Sequence, residues 1–253
     1  MFRPCIDLRG GKVVQIVGGT LSEDATAVRT NFVSERPAAW FAELYKRDGL
    51  TGGHVIMLGP GNEAEARAAL AAYRGGLQIG GGVNVDNARD WLEVGASHVI
   101  VTSWVFREGK VDWARLAELV KFIGKERLVL DLSCRIRGGE YFVVTDRWQK
   151  FTDVILSADT LEKFAASCAE FLIHAVDVEG LCRGIDGELV SKLGQWSPIP
   201  VTYAGGANSL VDLETVALLG QGKVHLTIGS ALDIFGGDGV RYTDAVAFNH
   251  KSR

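Results

Sequence analysis

The sequence predicts an α/β protein built as a single (β/α)8 barrel, or TIM barrel, with an internal half-barrel repeat. Three observations predict it. The length of 253 residues is ordinary for one such barrel. Short apolar segments alternate with helical patterns eight times along the chain, and several features recur at a fixed spacing. We expect one domain over residues 1–253, with half-barrels over about 1–124 and 125–253. An open doubly wound sheet is the alternative.

Eight short apolar segments are predicted to be strands. They are aliphatic or β-branched at consecutive positions, as in parallel strands that are covered on both faces. The segments are Cys5–Leu8, His54–Leu58, Leu77–Ile79, His98–Val101, Arg127–Leu130, Phe171–Val176, Ile199–Tyr203 and Val224–Ile228.

A helical pattern follows each strand, and a glycine follows several of the helices as a stop signal. The predicted helices are Ala38–Lys46, Glu63–Tyr73, Val85–Glu93, Trp113–Ile123, Thr160–Cys168, Gly187–Leu193, Leu210–Leu219 and Tyr242–His250. Two connections are unusually long, Gly10–Glu35 and Ser133–Asp159, and each contains a β-like stretch, Lys12–Val17 and Glu140–Thr145. Loops of this length carry function in compact domains, and we expect these two to close over a ligand.

Composition excludes several classes of function. A net charge of −4 provides no basic field for nucleic acid or an acidic membrane, so an anionic ligand would need local groups. The sequence contains no recognisable membrane span or targeting signal. Its four cysteines form no C-x-x-C pair, which favours a reducing compartment. We therefore expect a cytoplasmic protein and, from the absence of metal-ligand spacing among the five histidines, no metal.

The two halves of the chain echo each other where the predicted strands end. A spacing of 124 residues separates Asp7 from Asp131, Gly81 from Gly205, and Gly82 from Gly206. Thr102-Ser103 and Gly229-Ser230 recur at nearly the same spacing. We interpret this repeat as two half-barrels around a pseudo-twofold axis, which would place the two aspartates on opposite sides of one mouth.

The glycine pairs predict two phosphate sites. A glycine at the end of a strand lets the backbone approach a ligand, and free N–H groups at the start of a following helix favour an anion. Gly81, Gly82, Thr102 and Ser103 would form one site. Gly205, Gly206, Gly229 and Ser230 would form the other. A single pair could be an ordinary tight turn, but the symmetric set favours a small molecule with a phosphate at each end.

The two aspartates predict general acid–base chemistry. Asp7 and Asp131 each end an apolar strand on the face where barrel active sites lie. A pair of carboxyl groups can act together if one stays ionised as the base and burial or a nearby charge keeps the other protonated. The alternative is a structural ion pair, for example with Arg9, Lys12 or Arg135.

Three further residues are candidate ligand contacts. Trp148, with Arg147 beside it, lies in the long loop after the fifth strand, where an aromatic side chain could stack on a planar heterocycle. Asp177 follows the sixth strand and could bind hydroxyl groups or support the acid. Loop packing for Trp148 and loop capping for Asp177 are the alternatives.

Several motifs resemble the ProFAR isomerases of histidine biosynthesis, in their eukaryotic-type branch. They are Phe2–Leu8 (FRPCIDL), Leu77–Gly82 (LQIGGG), Leu128–Asp131 (LVLD), Tyr203–Gly206 (YAGG), His98–Phe106 (HVIVTSWVF) and Phe171–Gly184 (FLIHAVDVEGLCRG). The resemblance runs through essentially the whole chain. It implies an Amadori rearrangement of a bisphosphorylated aminoaldose into an aminoketose, without a cofactor and with no nucleic acid or membrane partner. We expect a monomer.

The resemblance also assigns roles. It implies that Asp131 is the general acid that opens the ribose ring, that Asp7 is the base, and that Trp148 stacks on the imidazole. Two positions depart from the pattern of bacterial members: Met57 stands where they usually carry an Asp, and Val176 where they often carry a Thr. The hydroxyl group that this Thr would supply near the sixth strand is therefore missing.

Three alternatives remain. The cyclase subunit of imidazole glycerol phosphate synthase shares the aspartates and phosphate sites, but it carries a lysine where this chain has Gln15. The single-phosphate isomerase of tryptophan biosynthesis uses a cysteine base on the first strand, and Cys5 would face the same side as Asp7. A non-catalytic barrel that binds a bisphosphate is the third.

Overall fold

Among the described residues, eight parallel strands close into a barrel and eight α-helices surround it. The structure is a computed structural model that describes residues 1–21 and 28–251. The barrel strands are β1 (Phe2–Arg3 and Cys5–Arg9), β2 (Gly53–Met57), β3 (Leu77–Gly80), β4 (Val99–Val101), β5 (Leu128–Asp131), β6 (Glu170–His174), β7 (Val201–Ala204) and β8 (Val224–Thr227). The order of pairing confirms the predicted closed barrel rather than an open sheet.

Pro4 divides β1 into the two parts through which the barrel closes. Phe2 pairs with Leu226 of β8, whereas Cys5 pairs with His54 of β2. Proline has no N–H group to donate, so it interrupts the ladder. Its carbonyl still accepts the N–H of His54 at 3.0 Å.

Each strand is followed by the helix that the sequence predicts. The helices are α1 (Ala38–Arg47), α2 (Glu63–Ala72), α3 (Ala88–Val94), α4 (Trp113–Ile123), α5 (Ala158–Ala165), α6 (Gly187–Trp196), α7 (Leu210–Leu219) and α8 (Tyr242–Lys251). The observed bounds of the helices differ from the predicted ones by up to three residues, at the ends of α5 and α6 and at the start of α3. Helix α3 begins at Ala88 instead of Val85, because the side chains of Asn84 and Asn87 bond to nearby backbone groups and form a turn first.

The barrel interior contains an apolar cluster and, nearer the amino ends of the strands, a polar network that forms the floor of the barrel. Ile100, Val129 and Leu172 pack together with Ile56 inside the strands. Glu170 lies nearer the amino ends of the strands, and it accepts hydrogen bonds from Thr202 Oγ1 at 2.5 Å and from Gln78 Nε2 at 3.3 Å. Arg3 Nη1 lies 3.3 Å from the same carboxylate. This buried network seals the end of the barrel opposite the mouth.

Both long connections form β structure at the mouth, as predicted. Lys12–Ile16 pairs with β1 and with Thr30–Val33. Residues 22–27 of the predicted loop Gly10–Glu35 lie outside the described residues. After β5, the segments Cys134–Arg137, Glu140–Thr145 and Lys150–Ile155 form an antiparallel sheet. In the described part of the chain, no helix has both the length and the apolar character needed to cross a bilayer.

Candidate active site

Two cavities open at the carboxyl ends of the strands. The larger has a volume of about 500 Å³, and the smaller, at about 20 Å³, holds roughly one water molecule. The larger cavity is lined by Asp131, Gly81, Gly82, Thr102, Ser103, Arg147 and Trp148, among others. The smaller is lined by Asp7, Gly205, Gly206, Gly229 and Ser230, among others. Each cavity therefore combines one predicted aspartate with one predicted phosphate set.

Asp131 is buried and held by three hydrogen-bond donors. Its Oδ1 atom accepts from the backbone N–H of Ser133 at 2.9 Å and from the Ser133 hydroxyl. Its Oδ2 atom accepts from Thr102 Oγ1 at 3.0 Å. These two hydroxyl groups orient the carboxyl group from β4 and from the loop after β5. They provide hydroxyl groups beside the carboxyl group, whereas Val176 has no hydroxyl group to provide.

Asp7 has a different environment. None of the described residues donates a hydrogen bond to its side chain or forms an ion pair with it, so the alternative of a structural ion pair finds no support there. Burial among the strand ends raises the pKa of Asp7 to about 7. A carboxyl group with that pKa exchanges protons readily near neutral pH.

Glu179 is a functional candidate that the sequence reasoning missed. It lines the smaller cavity with Asp7. Burial, reinforced by the nearby charge of Asp7, raises the pKa of Glu179 to about 8. Its Oε2 atom is buried and has no hydrogen-bond partner among the described residues. The only sequence signal was an acidic residue before Gly180, and the bend that brings it back to Asp7 is not visible in a linear pattern.

The glycine turns expose backbone donors to both cavities. Among the described residues, no hydrogen bond uses the N–H groups of Gly82, Val83, Ser103 and Trp104, or their counterparts in the second half, Gly206, Ala207, Ser230 and Ala231. By contrast, the N–H groups of Asn208 and Ser209 are taken by the Asp212 carboxylate, at 2.8 and 3.0 Å. The donors left free are therefore at the turns, and they occupy corresponding positions in the two halves.

Trp148 lies where three mouth loops meet. Its ring is 5.1 Å from that of His174 on β6. It also packs against the apolar cluster that Val14 and Ile16 form in the loop after β1. Gly18 fits between Trp148 and Glu179, since a Cβ atom there would lie 3.0 Å from the indole and 2.7 Å from Glu179 Cβ. Loop packing therefore holds Trp148 at the edge of the larger cavity.

Asp177 lies outside the lining of both cavities. Its carboxylate accepts hydrogen bonds from Arg135 Nε at 2.8 Å and from the Ile136 N–H at 2.9 Å. It thus ties the loop after β6 to the sheet after β5, as the capping alternative expected. Arg135 is consequently not a partner of Asp131.

Cys5 and Gln15 both line the smaller cavity. Cys5 bears on the alternative of a cysteine-dependent isomerase, and Gln15 on the alternative of the cyclase. Burial holds the pKa of the Cys5 thiol well above its usual value. Gln15 Nε2 lies 3.8 Å from Cys5 Sγ. The position of the cyclase lysine is therefore filled by a buried amide that contacts a protonated thiol.

Comparison with known proteins gives one consistent result. The family model described as "Histidine biosynthesis protein" matches residues 1–240. The chloroplastic 1-(5-phosphoribosyl)-5-((5-phosphoribosylamino)methylideneamino)imidazole-4-carboxamide isomerase of Medicago truncatula is 56% identical, over 100% of this chain and 82% of that protein. The isomerases of the same name from Yarrowia lipolytica and Saccharomyces cerevisiae are 53% and 49% identical, each over 99% of this chain and 98% of the relative. The chain belongs to the histidine biosynthesis protein family.

Proposed function

We propose that this protein isomerises ProFAR, the bisphosphorylated aminoaldose named in its relatives, to the corresponding aminoketose. The observation that carries the proposal is the division of the mouth into two cavities, each with one aspartate and one set of free backbone donors. A ligand with two terminal phosphates would place one in each set and its reacting ribose between the two carboxyl groups, and the smaller cavity of about 20 Å³ would widen to admit its phosphate. Such N–H groups favour anions without requiring a net positive charge.

The reaction delivers two protons, to the ribose ring oxygen and to C1, and removes two, from C2 and from the C2 hydroxyl group. Asp131 would protonate the ribose ring oxygen, which breaks the bond between C1 and that oxygen and leaves an iminium group. Asp7 would then take the proton from C2, and the resulting enolamine would become the ketone when C1 is protonated and the C2 hydroxyl loses its proton. Glu179, close to Asp7, would tune this base and is a second candidate for proton transfer.

The alternative functions receive less support. The cyclase would need a cation at Gln15, which is a buried amide. The single-phosphate isomerase would need a thiolate at Cys5, whose raised pKa keeps it protonated. A binding-only barrel remains the alternative that activity must exclude. The cytoplasmic location and the monomeric state remain predictions, and the printed name of the Medicago relative assigns that protein to the chloroplast.

The test is turnover of ProFAR by the wild type and by Asp7→Asn and Asp131→Asn. Loss of a general acid or base lowers rates by about 10²–10⁴-fold, so we expect kcat to fall by that factor in both variants while ProFAR still binds. Asp177→Asn is the matched control, since it removes a carboxylate outside both cavities, and it should retain kcat. A wild type that binds ProFAR without converting it would establish the binding-only alternative.

A further inference from the structure

A continuous chain of hydrogen bonds links Asp131 to the ring of His174. Ser133 Oγ contacts Asp131 Oδ1 and lies 2.9 Å from His174 Nδ1. The backbone N–H of His174 also donates to Ser133 Oγ, at 3.2 Å. All three residues are buried, so bulk water does not compete for these contacts.

Proton counting allows this chain two arrangements. The Ser133 hydroxyl has one proton to donate and two lone pairs that accept. If Asp131 is ionised, Ser133 donates to it and accepts both the backbone N–H and an Nδ1–H from His174. If Asp131 is protonated, its O–H donates to Ser133 Oγ and the Ser133 O–H donates to His174 Nδ1. Nδ1 is then an acceptor, so the imidazole carries its proton on Nε2. Both arrangements satisfy the Asp131 carboxyl group, the Ser133 hydroxyl group and His174 Nδ1, and they differ by one proton.

The far side of the His174 ring faces the smaller cavity. His174 is among the residues that line it, together with Asp7 and Glu179. Nε2 has no hydrogen-bond partner among the described residues. It is also not fully enclosed by protein atoms, so a ligand or water in the cavity can reach it. Burial lowers the pKa of His174, opposed by the charge of Asp131. The ring is therefore neutral near pH 7, and its state is a choice between two tautomers.

We propose that His174 is a positioning residue for Asp131 and that, through Ser133, its tautomer and the proton on Asp131 change together. This inference rests on the proposed function, in which Asp131 is the acid. A protonated Asp131 makes Nε2 a donor towards the smaller cavity, and an ionised Asp131 makes it a bare acceptor. Because such coupling is reciprocal, an anionic group that accepts from Nε2 favours the proton on Asp131. Binding of a ligand in one cavity thus prepares the acid in the other.

Other titratable groups surround this chain and must be separated from it. Those that line the same two cavities are Cys5 and Asp7 on β1, His54 on β2, Glu179 and Cys182 after β6, and Asp146 and Arg147 after β5. His54 also contacts the His174 ring, and the Cys134 thiol lies within the influence of the Asp131 charge. Substitution of Ser133 leaves all of them in place. It removes the link together with one hydroxyl donor to Asp131 and the acceptor of the His174 backbone N–H, so the tautomer of His174, rather than the kcat midpoint alone, tests the link.

The experiment is ¹⁵N NMR of protein labelled at histidine, with the His174 signals identified by their loss in His174→Asn. The ¹⁵N shifts distinguish the Nδ1–H tautomer from the Nε2–H tautomer. Across the pH range in which the protein stays folded, the wild type should change from Nε2–H to Nδ1–H as the pH is raised, together with the fall in kcat that reports loss of the acid. In Ser133→Ala the tautomer should stay fixed, and the kcat midpoint should move by at least 0.5 pH unit, roughly a threefold change in proton affinity, with KM changed less than threefold. Ser133→Thr, which keeps the hydroxyl group, should behave as the wild type.

Two results would overturn the inference. One is a wild-type tautomer that does not change over this range. The other is a folded Ser133→Ala variant that keeps the wild-type pH profile. The NMR measurement needs no turnover, so it remains decisive if ProFAR is not converted, which would count against the proposed function alone. If Ser133→Ala does not fold, Ser133→Cys replaces it, because a thiol is a much weaker donor in the same position.

Discussion

Trp148 covers His174 at the boundary between the two cavities, with 5.1 Å between the ring centroids and 42° between the ring planes. The turn that delivers Trp148 has three consecutive non-glycine residues with left-handed backbone, since φ is 50° at Asp146, 59° at Arg147 and 63° at Trp148. Each such residue costs about 1–2 kcal/mol relative to right-handed backbone. The turn is held by hydrogen bonds from the Asp146 N–H to Ser103 Oγ and from Gln149 Nε2 to the Leu21 carbonyl.

Removal of this indole should weaken binding of the imidazole substrate. We expect Trp148→Ala to raise KM for ProFAR about tenfold, because aromatic stacking contributes roughly 0.5–1.5 kcal/mol beyond burial. Trp148→Phe keeps a ring and should raise KM less. Steady-state kinetics checks both variants. Equal KM values for Trp148→Ala and the wild type would show that the side chain only packs the loop.

Stability should depend on pH through Glu179. Its folded pKa of about 8 lies above the unfolded value, so the folded state binds more protons than the unfolded state between about pH 4.5 and 8. This contribution is fully present below the unfolded pKa and is lost as pH rises through 8. Glu179→Gln should therefore stabilise the protein at pH 9 by on the order of 1–2 kcal/mol, allowing for partial solvent screening, and have little effect at pH 4. Urea unfolding at the two pH values measures this, and an equal effect at both would contradict it.

Neighbouring glycines in the first phosphate set should respond differently to alanine. Gly81 has φ 92°, and a Cβ atom there would lie 2.1 Å from the Met57 carbonyl oxygen, so Gly81→Ala should destabilise the fold by several kcal/mol. Gly82 has φ 72° with open space around the new Cβ, so Gly82→Ala should cost only about 1–2 kcal/mol. The added methyl group would stand beside free N–H donors and should raise KM. Thermal unfolding and kinetics of the two variants separate these effects, and equal losses of stability would refute the distinction.

The floor of the barrel should tolerate substitution poorly. Glu170→Ala leaves the partly buried Arg3 without its carboxylate, although Nη1 keeps the Gly52 carbonyl, and breaking a buried pair costs at most about 3–5 kcal/mol. The exposed pair of Lys192 and Glu188 is the control, since Glu188→Ala should cost about 0.3–0.5 kcal/mol. Chemical denaturation checks both. A loss of less than 1 kcal/mol for Glu170→Ala would mean that water reaches Arg3 and replaces the lost partner.

The sequence predicted most of the scaffold and less of the electrostatics. Strand order and closure follow from periodicity, since each apolar segment between helical patterns has only one place in a barrel of eight units. The site of Asp7 and the glycine sets followed from the spacing of 124 residues. The proximity of Glu179 to Asp7 and the link from Ser133 to His174 could not be predicted, because they depend on how irregular loops fold back. The same applies to Asp177, whose pairing with Arg135 joins two loops.

Because the barrel closes through Phe2, its first strand cannot complete its pairing until β8 and α8 have been synthesised. The backbone N–H and carbonyl of Phe2 both bond to the Asn249 side chain, at 2.7 and 2.8 Å, and Phe2 pairs with Leu226 of β8. The first strand thus waits for α8, because Asn249 follows Phe2 by 247 residues and is synthesised long after it. Until then, the edge of β1 at Phe2–Arg3 and the edge of the newest strand are unpaired, and such edges can associate with other chains. Translation speed and chaperone access while the segment from β8 to α8 is synthesised should therefore affect the yield of folded protein more than changes while β2 is synthesised.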